Sequence, residues 1–237
     1  DRQGTIWVGT EGRGLNRLGD DGSVTVLTTA DGLAGNDVRA LYEDREGTLW
    51  VGTFGGLSRL EDGSFSTYRT TDGLPSNIVF VVTQDSHGRL WVGTEGGLAL
   101  LRDGRLTAID VSHGLYDNKI FQILEDDLGY LWTSSNRGIS RVAVDDLVAV
   151  AEGRAEQVEA IGYNRADGMK VNQCNGASQP AGCTDSSGRL WFPTARGVVV
   201  IDPERLGLNP LAPPVVLEEV LVDGAQVDAR HLDRLPA

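Results

Sequence analysis

Few residues of the chain could carry out acid–base, nucleophilic or metal chemistry. Its 237 residues contain three histidines, His87, His113 and His231, and two cysteines. The histidines form no cluster with zinc-ligand spacing, and the sequence contains neither a Gly-x-Ser-x-Gly nucleophile elbow nor a phosphate-binding loop. We therefore predict no catalytic residue, no metal site and no cofactor.

The two cysteines are too few for a disulfide scaffold. Eight residues separate Cys174 from Cys183, and they include Gly176, Pro180 and Gly182, so the intervening loop could close. An oxidising compartment would permit a disulfide there, whereas a free buried thiol would pack as a small apolar residue. The residues alone leave both alternatives open.

The most regular polar residues are aspartates that precede tryptophans. The phrase Asp-x-x-Gly-x-(Ile/Leu)-Trp occurs five times, at Asp1–Trp7, Asp44–Trp50, Asp85–Trp91, Asp126–Trp132 and Asp185–Trp191. A second phrase places an asparagine in the same frame, at Asn36, Asn77, Asn118 and Asn172. Asp, Asn and Gly in such positions are typical of tight turns, so we interpret the carboxylates and amides as turn formers and the tryptophans as core.

Short strands must lie between these turns. The first four tryptophans are 43, 41 and 41 residues apart. The third repeat predicts strands at Ile78–Thr83, Arg89–Thr94, Leu98–Arg102 and Arg105–Ile109, joined by Gly-containing turns. Four short antiparallel strands per repeat of this length are typical of a propeller blade. We predict an all-β fold, a β-propeller of four-stranded blades, with blades near residues 36–70, 77–110, 119–165 and 171–202 and a partial blade before residue 30.

Two stretches depart from the repeat. The last tryptophan spacing, 59 residues, is longer by about 18, and we place the excess between Val142 and Tyr163. A short helix is predicted there, capped by Asp145, with Leu147, Val148 and Ala151 inward and Gly153 after its end. After Ile201 the repeat ends, and a Pro-rich run follows. We therefore predict propeller blades over residues 1–209. Residues 210–237 are predicted to form a linker and the first strand of a β-sandwich, Val215–Val222.

Composition excludes several classes of partner. The formal net charge is −13, so nucleic acid and anionic membranes would repel the chain. No apolar run approaches the ~18 residues that a membrane helix needs, so we expect no direct membrane contact in this stretch.

The repeat resembles the two-component regulator propeller. The resemblance rests on Gly88-Arg89-Leu90-Trp91-Val92-Gly93-Thr94 followed by Gly96-Gly97-Leu98, and on Asp72-Gly73-Leu74-Pro75-Ser76-Asn77. Residues 167–203 resemble the family's last blade, and residues 213–224 resemble the start of the immunoglobulin-like domain that follows it. Cys174 fits the family pattern without a partner, which favours free thiols, whereas Cys183 stands where the family more often has a large aromatic residue.

The resemblance implies a non-catalytic periplasmic sensor in a receptor of the hybrid histidine kinase or diguanylate cyclase type. The kinase or cyclase output would lie elsewhere in the receptor, and the full-length receptor could form a homodimer. Because such propellers often have seven blades or a double set, about five blades indicate an excerpt of a larger propeller. The family also makes a small polar ligand, such as a glycan fragment or an organic acid, the expected partner.

Ligand contacts should lie at positions that have a fixed place in the repeat but a different residue in each blade. Inter-blade links and the turns between second and third strands open on one face of a propeller. The predicted ligand-binding residues there are Arg137, Arg196, Tyr116, Asn136, Lys119, Phe54 and Glu95. Neighbouring variable positions are Glu11, Arg13, Lys170 and Ala195. Arg, amide and aromatic groups would suit a sugar or a carboxylate.

Two other functions remain open. Streptogramin-inactivating lyases are propellers whose repeats also carry Asp-x-x-Gly-x-x-Trp, and such a lyase needs an acid or base near the axis, for which His113 is the sole candidate. The third alternative is a passive scaffold for protein partners.

Overall fold

The computed structural model describes residues 1–19, 21–176, 179–206, 220–222 and 225–227. The chain divides into two units, Asp1–Glu204 and Arg205–Ala237. In the second unit the described residues form one antiparallel hairpin, Val220–Val222 with Ala225–Val227. Most of the predicted strand Val215–Val222 and the turn at Asp223-Gly224 lie outside the described residues, so the domain boundary at residue 209 stays a prediction.

Five antiparallel sheets follow one another in the first unit. The first contains β1 Ile6–Gly9, β2 Leu15–Leu18 and β3 Val24–Leu27; the second β4 Val38–Glu43, β5 Leu49–Thr53, β6 Gly56–Glu61 and β7 Ser64–Tyr68; the third β8 Val79–Gln84, β9 Leu90–Thr94, β10 Leu98–Arg102 and β11 Arg105–Ile109; the fourth β12 Gln122–Glu125, β13 Tyr130–Ser134, β14 Ile139–Ala143 and β15 Ile161–Tyr163; the fifth β16 Cys183–Thr184, β17 Leu190–Thr194 and β18 Gly197–Ile201. The hairpin of the second unit supplies β19 Val220–Val222 and β20 Ala225–Val227.

Each of the middle three sheets runs through its four strands in chain order, and β4, β8 and β12 lie side by side. These first strands are therefore the inner strands around a common axis, and each sheet is a blade. The predicted all-β propeller of four-stranded blades is confirmed. The fifth sheet differs from prediction because it has three described strands: after β18 the chain enters a 3₁₀ turn at Pro203–Arg205 instead of a fourth strand.

One interaction recurs in all five blades and explains the first phrase. One carboxylate oxygen, Oδ2, accepts the indole N–H of the tryptophan six residues on, at 2.7–2.9 Å. The other, Oδ1, accepts the backbone N–H groups two and four residues on, as in Asp126 with Leu128 and Tyr130. The motif glycine has positive φ, +85° at Gly129, which a residue with a side chain rarely adopts. We call this arrangement the Asp–Trp clamp; the aspartates are turn formers, as predicted.

The asparagines of the second phrase hold the inter-blade links. The side-chain oxygens of Asn36, Asn77, Asn118 and Asn172 each accept the backbone N–H seven residues earlier, at 2.8–3.0 Å. That earlier residue opens a 3₁₀ turn in every link: Thr29–Asp31, Thr70–Asp72, Val111–His113 and Arg165–Asp167. Their prediction as turn formers is confirmed.

A second set of hydrogen bonds joins neighbouring blades on the side where the clamps lie. In the first three blades the residue after the clamp aspartate donates its backbone N–H to the last side chain of the next inner strand. The pairs are Arg2 with Glu43, Arg45 with Gln84 and Ser86 with Glu125, at 2.8, 2.9 and 2.5 Å. We call these bonds the belt.

The core lies between the blades. Trp91 and Trp132 are fully buried and Trp50 nearly so. Trp7 and Trp191 are half-buried, because within the described residues their sheets are covered on one face only. The open faces expose Ile6, Val24, Val198 and Val200.

The predicted helical insertion is present but begins differently. The helix α1 spans Val144–Ala151 and packs against β11 and β14, with Leu147 and Val148 buried. Its N-cap is Ala143, so the prediction of Asp145 as the cap is wrong. Asp145 lies in the first turn of the helix, where its negative charge interacts favourably with the positive end of the helix dipole. Gly153 follows the helix with φ +71°.

The inserted residues are also divided differently from prediction. Asn36, Asn77 and Asn118 each precede the next clamp aspartate by eight residues, whereas Asn172 precedes Asp185 by 13. Five of the extra residues therefore lie in the inner segment of the fifth blade and not in the helical insertion.

Removing one clamp carboxylate should destabilise the fold. Asp126→Ala deprives the buried Trp132 N–H of its acceptor, so we expect the free energy of unfolding to fall by about 1–3 kcal/mol. The neighbouring Asp127 is exposed, and Asp127→Ala should change the free energy by less than about 0.5 kcal/mol. Urea unfolding of both variants checks this, and equal effects would contradict the role of the clamp.

The clamps also predict acid sensitivity. Burial raises the pKa of Asp85, but hydrogen bonds from Trp91 and Arg89 outweigh it and hold the pKa below its usual value. The Trp191 hydrogen bond is the main cause that lowers the pKa of Asp185 from 3.8 to about 2. The unfolded chain therefore binds protons first as pH falls, and stability present above pH 4 should decline towards pH 2. In urea unfolding at a series of pH values, Asp185→Asn should flatten this decline and Asp127→Asn should not.

Candidate functional site

The inner strands surround a cavity. β4, β8 and β12 are each the last strand of their sheet on one side, so each turns one unpaired backbone edge inward. Between these edges lies a cavity of about 670 Å³, to which Glu11, Gln179 and Pro180 also contribute. We call it the central cavity.

One residue in each of the three middle blades occupies a matching place at the start of the inner strand, and of these Arg39 lines the cavity. The strand register shifts between Val38 and Ala40 in β4 and between Val79 and Val81 in β8, so Arg39 and Phe80 are bulge residues. Phe121 lies at the matching place before β12. Bulges redirect side chains and are common beside functional sites.

These residues form a continuous rim with two others. Phe80 meets the rings of Phe54 and Phe121 edge-on, with ring centres 6.3 and 5.3 Å apart. The Arg39 guanidinium lies 4.5 Å from the centre of the Phe54 ring and 3.5 Å from a Glu11 carboxylate oxygen. The rim is thus Glu11, Arg39, Phe54, Phe80 and Phe121. The sequence carried a signal for it: Arg39, Phe80 and Phe121 each lie three residues after a repeat asparagine.

The five-residue insertion of the fifth blade brings an amide side chain to the same mouth. Gln179 Nε2 donates to the carbonyl oxygens of Phe80 and Phe121, at 2.8 Å each. Its Oε1 accepts the backbone N–H of Ala181 at 3.0 Å. Gln179 is therefore fully bonded and ties the fifth blade to the third and fourth.

Gln122 contributes to the cavity wall, and its side chain lies against Gly182 of the fifth blade. Its residue is 7% exposed, and its Nε2 lies 3.4 Å from the carbonyl oxygen of Gly182. Its Oε1 is buried and has no hydrogen-bond partner. The matching residues of the second and third blades are apolar, Ala40 and Val81. Gln122 is thus a polar residue at a position that the fold fills equally well with an apolar one.

Two of the sequence-predicted ligand residues bind each other. Arg137 Nη1 donates to the carbonyl oxygen of Tyr116 at 2.9 Å, and its guanidinium lies 4.9 Å from the centre of that ring. Tyr116 in turn donates its hydroxyl to the carbonyl oxygen of Arg137 at 3.3 Å. The pair fastens a turn of the fourth blade to the link before it.

The other predicted residues are spread along the blades. Lys119 Nζ and a Glu95 carboxylate oxygen form an ion pair at 2.8 Å, and Asn136 and Arg196 are exposed. Phe54 belongs to the rim. In the described part of the chain none of the seven predicted ligand-binding residues lines the central cavity, although the neighbouring variable residue Glu11 does.

His113 has a structural role in the link after β11. Its Nδ1 lies 2.9 Å from Asp110 Oδ1 and also receives the Asp110 backbone N–H, the role that a carboxylate fills in the other three links. Hydrogen bonds from Ser112, and then from His113, hold the pKa of Asp110 below its usual value. Because β11 is the outer strand of its blade, His113 lies at the periphery and not in the described wall of the cavity.

One cluster of reactive residue types lies on the belt. Ser86 donates its hydroxyl to Glu125 at 2.8 Å, and the same oxygen lies 3.1 Å from His87 Nδ1. In a catalytic triad the acid orients the histidine, whereas here Glu125 binds the serine directly. Among the described residues no group of His, Cys, Asp and Glu could hold a metal ion.

Solved structures share this fold. The extracellular domain of BT3049, described as a hybrid two component system from B. thetaiotaomicron, is 24% identical with a TM-score of 0.75, over 92% of this chain and 29% of that one. The extracellular domain of BT4673 from the same organism is 25% identical with a TM-score of 0.67, over 86% and 29%. Virginiamycin B lyase from Staphylococcus aureus is 15% identical with a TM-score of 0.60, over 86% and 64%.

The sequence comparison identifies the repeat. The chain is a β-propeller, and its residues 32–55 and 73–96 match the family described as two component regulator propeller. These two segments carry the repeat of that family, as predicted. It spans under a third of the two extracellular domains it resembles. No curated protein matches it. In the described residues no helix has the length and apolar character to cross a membrane.

Both cysteines are free, as favoured, and their environments differ. Burial raises the pKa of Cys174 to about 11, whereas Cys183, in the inner strand of the fifth blade, is exposed. Because the thiolate is the reactive species, a thiol reagent at pH 8 should modify Cys183 quickly and Cys174 only on unfolding. We expect one fast equivalent in the folded protein, two after unfolding, and no fast equivalent in Cys183→Ser. Absence of free thiol in unfolded, unreduced protein would instead demonstrate a disulfide.

Proposed function

We propose that this chain is the ligand-sensing part of the periplasmic domain of a bacterial signal-transduction receptor of the two-component or diguanylate cyclase type. The support is the family match together with the likeness to extracellular domains of hybrid two component systems. The kinase or cyclase output belongs to another part of the receptor, which could act as a homodimer. The ligand is a small polar molecule, such as a glycan fragment or an organic acid.

The observation that carries this proposal is the contrast between a fixed frame and a variable mouth. Clamps repeat in all five blades with nearly the same hydrogen bonds. At the corresponding place in the inner strands, the second blade has Arg39 where the third and fourth blades have phenylalanines, Phe80 and Phe121. A repeated scaffold that presents different side chains around one opening is suited to recognise a small molecule.

The lyase alternative has weaker support. The lyase shares the fold at 15% identity, which says nothing about activity. His113, the sole candidate acid or base, caps a 3₁₀ turn in a link at the periphery. We therefore propose no catalysis by this part of the receptor.

A ligand screen tests the proposal. Thermal shifts should be measured with a panel of glycan fragments and small organic acids, followed by calorimetric titration of any compound that stabilises the protein. A ligand at 100 times its Kd should stabilise the fold by about 2.7 kcal/mol, which raises the Tm measurably. Chromatography of the recovered ligand should show it unchanged, and Asp127→Ala should bind it as well as the parent protein.

Other outcomes favour the alternatives. Turnover of a ligand that disappears in His113→Ala would support the lyase. Failure of the whole panel, together with saturable binding of a protein partner, would support the scaffold and overturn the sensor.

A further inference from the structure

We infer that the fifth blade is a conformational switch, which opens along its contact with the fourth blade while the other blades stay folded. We call the contact between these two blades the last seam. The inference goes beyond the proposed function and does not depend on the identity of the ligand. The chain continues from this blade into the second unit, so the switch lies at the point where the propeller ends. Any binding event that favours one of the two states would shift their balance.

The first argument is the polarity of the last seam. The strand register places Gln122, Ser134 and Arg141 on one face of the fourth blade, and Gln122 reaches the fifth blade from that face. Each residue is at most 7% exposed, and among the described residues Gln122 Oε1, Ser134 Oγ and Arg141 Nε have no hydrogen-bond partner. At the matching positions the third blade has Val81, Gly93 and Leu100. Because a buried polar atom without a partner costs free energy that contact with water would return, these side chains favour opening.

The second argument is that the belt does not continue across the last seam. Belt bonds join the first four blades in sequence. At the matching place here, the Asp127 backbone N–H would donate to the side chain of Thr184, the last residue of β16. Within the described part of the chain no such bond forms, and Thr184 is exposed. Its side chain is shorter than the glutamate or glutamine that ends the other inner strands. The last seam therefore lacks a connection that the three other seams have.

The third argument is the way in which the fifth blade is attached. Its inner strand, β16, has two residues, against four to six in β4, β8 and β12. A backbone hydrogen bond crosses the last seam from Cys174 N–H to the carbonyl oxygen of Ser135 at 3.0 Å. Gln179 adds its two bonds to the carbonyl oxygens of Phe80 and Phe121. We call Gln179 the latch, because its side chain ties the fifth blade to both the third and the fourth.

The first blade provides an internal comparison. Like the fifth, it has three described strands and an exposed apolar face. Its seam with the second blade nevertheless carries a belt bond, from Arg2 to Glu43. The same seam is closely packed, since a Cβ atom on Gly9 would lie 2.5 Å from Cγ1 of Val38. We therefore expect the fifth blade to open more readily than the first.

Cys174 is a natural reporter in the last seam. It is 2% exposed, and its Sγ lies 3.7 Å from the carbonyl oxygen of Gly138 in the fourth blade. In Cys183→Ser it is the sole thiol, so its slow labelling shows which kind of unfolding releases it. We expect labelling at least ten times faster than global unfolding allows, with a weaker dependence on urea.

Hydrogen exchange gives a second measurement of the same opening. The amides of β17 and β18 should exchange with the free energy of opening that Cys174 labelling reports, because the blade opens as a unit. They should exchange faster than the amides of β1 and β2 in the first blade, and faster than those of β5 and β9.

Variants should move the opening in both directions. Gln179→Ala removes the latch and should speed the labelling of Cys174 at least tenfold. The double variant Thr184→Gln, Gln122→Val installs two residues that the third blade carries in the same frame. It supplies the missing belt acceptor and removes one unsatisfied amide, so it should slow the labelling at least tenfold.

Arg59→Leu is the matched control. Arg59 has the place in the second blade that Arg141 has in the fourth, but it faces the third blade and not the last seam. This substitution should leave the labelling of Cys174 unchanged. Urea unfolding of each variant verifies that it folds, and the labelling of the parent Cys183→Ser protein decides the inference if one of them does not.

Three results would overturn the inference. The first is labelling of Cys174 that follows global unfolding in both rate and urea dependence. The second is protection of β17 and β18 equal to that of β5 and β9 while Cys174 reacts, because only the inner segment would then move. The third is unchanged labelling in both Gln179→Ala and the double variant. None of these measurements uses a ligand, so the proposed sensor function is tested separately.

Discussion

The structure depends on one carboxylate per blade. Each clamp aspartate accepts three hydrogen bonds, two from the turn that follows it and one from the indole of a tryptophan in the next strand. The first two fix the hairpin between the inner strand and its neighbour. The third fixes the orientation of the largest side chain between two blades. Because the carboxylate is ionised, these bonds are stronger than those between neutral groups. Local turn and packing between blades are therefore set by the same residue.

The belt extends this control from one blade to the next. Glu43, Gln84 and Glu125 end their inner strands and accept a backbone N–H from the clamp turn of the preceding blade. The first three clamp turns are thus bonded both to their own tryptophans and to the neighbouring inner strands. Repeat proteins gain their stability from such nearest-neighbour contacts. Residues outside the clamps and the belt, such as Arg39 and Phe80, can therefore differ between blades without loss of these bonds.

The sequence predicted what repeats and missed what does not. The clamp phrase, the asparagines and the strands of the third blade were readable because the same residues recur at the same spacing. The cap of α1 was not, because Ala143 is a poor capping residue and makes no side-chain cap hydrogen bond. The helix is held by the packing of its buried face against β11 and β14. The insertion near Gln179 was not recognised because the distance from Trp132 to Trp191 includes both this insertion and the helical one. The distance from each repeat asparagine to the next clamp aspartate distinguishes the two insertions.

The loop-face prediction shows a second limit. Arg137 and Tyr116 are predicted ligand residues because their positions vary between blades, and in the structure each binds the backbone of the other. Sequence alone does not tell whether a surface arginine faces solvent or returns to a carbonyl oxygen nearby. Gln122 is the converse case, since a position that is apolar in the second and third blades holds a buried amide in the fourth. Comparison of the blades detects such a residue, but only the structure shows that the Gln122 side chain lies against Gly182 of the fifth blade.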